Sequence, residues 1–258
     1  MSGVLTAAAD LRRLVVRDLR REVRVLDGLI VNTALPVIIM VLFVYVFGGA
    51  ITTGSSGLAY IDFVVPAVLL MSGGYGAALT AVNIAGDMTG GMIDRFRTLP
   101  IGGWVVPAGH VVASVLRNVA ACGFALLAAV VLGFRPDASL ADWGLVLALV
   151  AGYVLAMSSL AVLWGLLVKS TQAAGAFSFV VLFLPYLSDG VVPAETMPAV
   201  LRDFAYNQPV TPVVATLRSL LLDLPMGSSG VVAAVWLAGV VAVSAPIAAV
   251  LFRRRTAA

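Results

Sequence analysis

A chain of 258 residues that is 61% hydrophobic and only 11% charged falls far from soluble domains, in which about 25% of residues are charged. It reads as an all-α integral membrane protein. The net charge of +3 does not point to nucleic acid, because the arginines gather at the ends of apolar runs, where anionic lipid headgroups lie. The single cysteine, Cys122, permits no intrachain disulfide and reads as a packing residue.

Residues 1–27 are expected to form a cytoplasmic amphipathic helix at the membrane interface. Leu11, Val15, Leu19, Val23 and Leu26 make one ridge, with Arg13, Arg17, Arg21 and Arg24 roughly opposite. A helix lying on a membrane has this pattern; a simple topology signal would need the charge but not the periodicity.

Residues 28–258 read as one six-span unit. Roughly 20 apolar residues cross the hydrocarbon core, and such runs cover Gly28 to Phe47, Ile61 to Ile84, Trp104 to Leu132, Trp143 to Val168, Ala173 to Leu187 and Val231 to Phe252. The third is long and the fifth short. Because the runs are continuous rather than alternating in segments of about ten, a barrel is disfavoured and the spans should be helices. The first run is too long for a signal-peptide core, and more spans follow. No internal repeat is visible.

Six spans put both termini on one side. Arg12, Arg13, Arg17, Arg20, Arg21, Arg24, Arg95, Arg97, Lys169, Arg253, Arg254 and Arg255 share that side, against Arg135, Arg202 and Arg218 opposite. By the positive-inside rule the termini are cytoplasmic.

Between the second and third spans the chain reads "GDMTGGMIDRFRTLPIGG", residues 86–103, which is then cytoplasmic. Asp87 is expected to cap a short helix, Gly90 and Gly91 to weaken its first turn, and Pro100 to stop it. Met92, Phe96 and Leu99 share a face with Ile93 beside them, while Asp94 and Arg97 point elsewhere. Such an apolar knob suits either docking into a groove of a partner or folding back on the bundle.

In the third span Arg117 is the one charge well inside an apolar run, and no acid lies at its depth. Carbonyls, Asn118, a second subunit or lipid phosphate must serve it, and a structural role is preferred to a pathway role. His110 reads as an interfacial, hydrogen-bonded histidine in preference to a proton relay. "SGGYGA", Ser72 to Ala77, reads as close helix packing rather than a filter.

The segment 189–230 is too long for an ordinary connection. Prolines 193, 198, 209 and 212 punctuate it, and Leu217, Leu220, Leu221 and Leu224 recur at helical spacing. Short amphipathic helices re-entering the outer leaflet are expected, packed over the outer ends of the bundle. Catalysis finds no support: the chain has one histidine, one cysteine and no metal-ligand cluster or serine motif. The only lysine, in "WGLLVKS", lacks the glycines of a phosphate-binding loop.

The motifs "GMIDRFRTLPI", "LGFRPD" and "NQPVTPVVATLRSLL", each at its place relative to the six spans, resemble the membrane subunit of type-2 ATP-binding-cassette (ABC) exporters, in particular the daunorubicin/doxorubicin-resistance permeases of actinobacteria. The resemblance covers nearly the whole chain. It implies a permease of a bacterial cell membrane, exporting small amphipathic, drug-like molecules with a separate cytoplasmic ATPase. Two ATPase copies and a second permease subunit, as a homodimer, would complete the assembly among membrane lipids. ATP and Mg would be bound by the partner ATPase, and no cofactor by this chain.

The coupling interface implied is Asp87, Gly91, Met92, Ile93, Asp94, Arg95, Phe96, Arg97, Leu99 and Pro100. The outer gate candidates are Asn207, Gln208, Pro209 and Arg218. At Asp87 many relatives of the wider class carry glutamate. Export of a lipid or glycolipid is the neighbouring reading, and an ion-driven secondary transporter the alternative of another class, disfavoured by the lack of mid-membrane acids.

Overall fold

The computed structural model describes residues 2–23, 26–49, 51, 53, 57–90 and 104–257. Among these all regular structure is helical. The N-terminal helix α1 (Ser2–Val23) is followed by α2 (Leu26–Val41), which contains Pro36 and continues as a π-helical stretch, Leu42–Phe47. Four long helices carry the bundle: α3 (Tyr60–Thr89), α4 (Val105–Val131), α5 (Leu140–Leu167) and, last in the chain, α10 (Ser229–Ala257). Between α5 and α10 lie α6 (Thr171–Gly175), α7 (Phe177–Tyr186), a 3₁₀ turn (Ala194–Thr196), α8 (Ala199–Asn207) and α9 (Val210–Leu221).

Among the described residues, the four long helices are those long and apolar enough, as single helices, to cross a membrane. The expected first and fifth spans fall on broken helices. Pro36 interrupts the hydrogen-bond ladder of α2, and its last turns widen to π winding. The fifth run is split by a kink at Ala176; its two pieces cover residues 171–186, about 24 Å if straight, less than the roughly 30 Å of hydrocarbon. The expected second span gains a turn, because α3 runs on past Ile84 to Thr89.

The bundle is built around α3, which packs against α2, α4, α5, α6, α7 and α9. Its most apolar window is 89% buried, whereas that of α10 is 17% buried, so α10 stands at the periphery with most of its apolar surface turned outward. Small residues let α3 take the centre. A Cβ on Gly74 would meet the Val181 side chain and come within 3.0 Å of the Tyr153 hydroxyl, which fits the close-packing reading of "SGGYGA". Cys122 is buried, and its thiol donates to the Leu69 carbonyl at 3.3 Å.

Two turns fix the ends of α4 and α5. Gly133, at φ +112°, ends α4 with its N–H on the Val130 carbonyl (3.2 Å) and that of Phe134 on Ala129 (3.0 Å), a Schellman closure that needs a residue tolerant of positive φ. The turn drives Phe134 into the core, where it is fully buried. Ser139 then opens α5 with a capping box to Asp142.

Helix α1 packs along α4 and touches α2. Val15 is buried, Leu11, Leu14 and Leu19 are half-buried, and Arg12, Arg13 and Arg20 are exposed. Over the described side chains α1 thus has a buried and an exposed face, with one departure from the expected pattern: Arg17 is half-buried, turned toward two carboxylates instead of standing with the outward arginines.

Candidate functional site

At the end of the bundle where α1, the last turn of α3 and the first turns of α4 meet, four side chains form a charged junction. Asp18, Asp87 and His110 are buried. Arg17 donates to Asp18 Oδ1 from Nε (2.9 Å) and Nη2 (2.7 Å), and to Asp87 Oδ2 from Nη2 (3.1 Å). The His110 ring sits between the same two acids, with Nε2 3.2 Å from Asp87 Oδ2 and Nδ1 3.2 Å from Asp18 Oδ2. The contact to Asp87 has hydrogen-bond geometry, whereas that to Asp18 is an ion-pair distance without it. A buried carboxylate needs such partners, since an uncompensated charge in this setting is strongly unfavourable.

This placement corrects the expected role of Asp87. Helix α3 continues through it to Thr89, with Gly90 closing the helix on the Gly86 carbonyl at 2.8 Å, so Asp87 is a helical residue and not the cap of a following helix. Once α3 extends that far, the Asp87 side chain faces α1 and α4. The rest of the expected coupling interface, Gly91, Met92, Ile93, Asp94, Arg95, Phe96, Arg97, Leu99 and Pro100, lies outside the described residues. His110 is hydrogen-bonded as expected, and it is buried beneath α1. Asp18 was not anticipated. Its signal was present: three residues after Val15, it places an acid on the apolar ridge of α1, where only a buried partner would tolerate it.

Deeper in the bundle, Arg117 of α4 donates to the Gly76 carbonyl at 2.8 Å, with Thr80 Oγ1 and Ser114 Oγ at 3.4 and 3.5 Å. Ser114 is the hub of this belt. It accepts from Thr80 (2.9 Å) and from Asn118 Nδ2 (3.0 Å), and it lies 2.8 Å from Ser158 Oγ. A carbonyl thus serves the guanidinium, one of the expected solutions, and the small residues of α3 expose that carbonyl to α4.

At the opposite end Arg218 of α9 is buried. It donates to the carbonyls of Asp189 (2.8 Å) and Phe63 (3.1 Å), lies 3.6 Å from the Asp189 carboxylate and rests 3.9 Å over the Phe63 ring. Burial lowers its pKa and the neighbouring Asp189 charge partly offsets this. Gln208 is also buried. Its amide donates to Thr211 at 3.1 Å, and its oxygen accepts from the Val210 N–H at 3.1 Å. Pro209 caps α9, and exposed Asn207 donates to the Asp203 carbonyl at 2.8 Å.

Leu217, Leu220 and Leu221 point into the core, while Leu224 is exposed beyond the helix end. By contrast α8 leaves Val200, Leu201, Phe204 and Tyr206 exposed. No group of three or more potential metal ligands occurs among the described residues.

The charged junction, the polar belt within the bundle and the long apolar helices describe a membrane protein. Residues 9–222 match the model of the ABC-2 type transporter membrane family. The chain belongs to that family of transport subunits. It is 30% identical over 230 residues, 86% of this chain and 78% of the relative, to the daunorubicin resistance ABC transporter permease protein DrrB1 of Streptomyces coeruleorubidus. It is 25% identical over 244 residues, 94% of this chain and 86% of the relative, to the probable doxorubicin resistance ABC transporter permease protein DrrC of Mycobacterium tuberculosis. The motif "LGFRPD" and the segment ending in α9, on which the family resemblance was read, lie within the matched region.

Proposed function

We propose that this chain is the permease subunit of an ATP-driven exporter that moves small amphipathic, drug-like molecules out of a bacterial cell, with hydrolysis in a separate cytoplasmic ATPase. The observation that carries the coupling part of this reading is the junction at Asp87. This residue stands four positions before the 91–103 segment and is bonded to Arg17 on α1 and His110 on α4. A force delivered to that segment by the ATPase would reach α1, α3 and α4 together. Buried ion pairs resist such displacement, so the three helix ends should move as one body.

In the full assembly two permease chains pair with two ATPase chains. Each permease crosses the membrane six times with both termini in the cytoplasm, the broken helices α2 and α6–α7 serving as its first and fifth spans. Segment 86–103 is the coupling element. Segment 189–230 forms the outer re-entrant cover, with Asn207, Gln208, Pro209 and Arg218 at the outer gate. Drug export is favoured by the kinship with permeases named for daunorubicin and doxorubicin resistance.

The test is reconstitution. The purified chain alone should show no ATP turnover, and hydrolysis and outward transport of an anthracycline should appear only when a cognate ATPase is added. Turnover by the contaminant-free single chain, or transport driven by an ion gradient without ATP, would reject the reading.

A further inference from the structure

A second site lies away from the junction and the polar belt. Helices α4, α5 and α10 line a half-open cavity of about 280 Å³, bordered among others by Trp104, Pro107, Val111, Ser159, Ala245 and Ala249. Its walls offer nothing to water. The only polar side chain with a hydroxyl there, Ser159, already donates to the Leu155 carbonyl of its own helix at 2.8 Å, and apolar cavities of even about 150 Å³ stay dry and take apolar ligands.

The cavity sits toward the end of the bundle where Trp104 opens α4 and basic residues close α10. Ala245, Ala249 and Arg253 follow one another at i, i+4 spacing on one flank of α10, so the exposed Arg253 continues the wall of the cavity toward the headgroup level. Arg255 donates to the carbonyls of Leu167 and Val168 at 3.3 and 3.4 Å, which brings the end of α10 against that of α5, just beyond which Lys169 is exposed. From Arg253 to Val241, the deepest lining residue of α10, is about 18 Å along a helix. One leaflet of hydrocarbon is about 15 Å thick. Tryptophan is itself enriched at the membrane interface.

We infer that this cavity holds one acyl chain of an anionic phospholipid from the leaflet at the arginine-rich end, its phosphate met by Arg253 and Lys169 and its tail lying between α4 and α10. A guanidinium offers five N–H donors in a planar fork that matches phosphate oxygens. The site explains why α10, so little buried by protein, presents alanines beside α4 where leucines would close the gap: the lipid completes the packing. The inference rests on the membrane reading alone and does not need the export reading, so its test uses no ATPase.

The experiment counts bound lipid by native mass spectrometry on the full chain in detergent, titrated with phosphatidylglycerol or phosphatidylcholine, and follows the melting temperature in parallel. The unmodified chain should retain phosphatidylglycerol in preference to phosphatidylcholine and melt higher with it. Ala245→Phe, which fills the cavity, should lose a single bound lipid and the shift in melting temperature. The pair Arg253→Gln with Lys169→Gln should lose the preference for the anionic lipid while still binding a lipid chain.

Should Ala245→Phe not fold, the paired charge variant decides alone, because its substitutions lie on the exposed rim. An unchanged lipid count in folded Ala245→Phe, or an unchanged anionic preference in the paired variant, overturns the inference. Two other occupants would also overturn it. Loss of tetraphenylphosphonium binding in Ala245→Phe with full lipid retention would make the cavity a substrate pocket, and a disulfide between two chains carrying Ala245→Cys would make it an interface between copies.

Discussion

Asp87 carries two partners on one carboxylate oxygen, the Arg17 guanidinium at 3.1 Å and the His110 ring at 3.2 Å, and this sharing defines what its removal does. Asp87→Ala leaves the half-buried Arg17 and the buried His110 each short of a partner, and breaking a buried pair in this way costs about 3 to 5 kcal/mol. The melting temperature should fall clearly. In a double-mutant cycle with Arg17→Gln the two losses should fail to add by about 0.5 to 3 kcal/mol; strictly additive losses would show that the junction is not one unit. Arg117 belongs to the same scale but to a different role. Its hydrogen bonds to the Gly76 carbonyl and the Thr80 hydroxyl hold α4 to α3, and the guanidinium would repel a cationic substrate. Arg117→Gln should lower folded yield more than it alters substrate preference. Normal yield with changed selectivity would refute the structural assignment.

At the scale of elements, the 91–103 segment connects α3, the most buried helix, to α4, and its neighbours are fixed by the junction. The coupling reading assigns Met92, Phe96 and Leu99 to a knob seated in the ATPase and Asp94, Arg95 and Arg97 to its rim. Truncating a buried aromatic anchor typically costs about 2 kcal/mol or more of binding. Phe96→Ala should therefore weaken co-purification with the ATPase or uncouple hydrolysis from export, while the helices of the bundle remain intact by circular dichroism. Single rim substitutions should cost less and depend on salt. Full co-purification together with unaltered export by Phe96→Ala would make the segment a plain connection. The elements that sequence periodicity located best were those with continuous apolar runs, α3, α4, α5 and α10. Those it located less well, α2 and α6–α7, are broken by Pro36 and by the kink at Ala176, where backbone winding and not hydropathy sets the boundary.

For the whole molecule, the proposed orientation makes a statement that labelling can check. With Cys122 buried, cysteines introduced at Arg12, Arg254 and Val200 report on the two ends of the bundle. In intact cells a membrane-impermeant thiol reagent should modify Val200→Cys, on the exposed face of α8, and leave Arg12→Cys and Arg254→Cys untouched until the membrane is opened. Labelling of the terminal positions in sealed cells would reverse the topology and with it the direction of coupling.

Composition and hydropathy by themselves determined the class of protein, the helical fold and the arginine-rich end, because about 20 apolar residues in lipid leave the backbone few options other than a helix. The motifs "LGFRPD" and "NQPVTPVVATLRSLL" were legible for local reasons: Gly133 meets a positive-φ turn, and the leucines of α9 share one face. Which polar residues meet was decided only in three dimensions. Asp18 and His110 lie on helices far apart in the chain, and the extension of α3 by one further turn carries Asp87 to the far side of the His110 ring from Asp18. Arg218, legible as an outer arginine, became a buried clamp because Phe63 and Asp189 happen to face it across the end of the bundle. Charge and periodicity are properties of single segments, but the neighbours that a buried charge requires are supplied by packing, and only the tertiary structure says which they are.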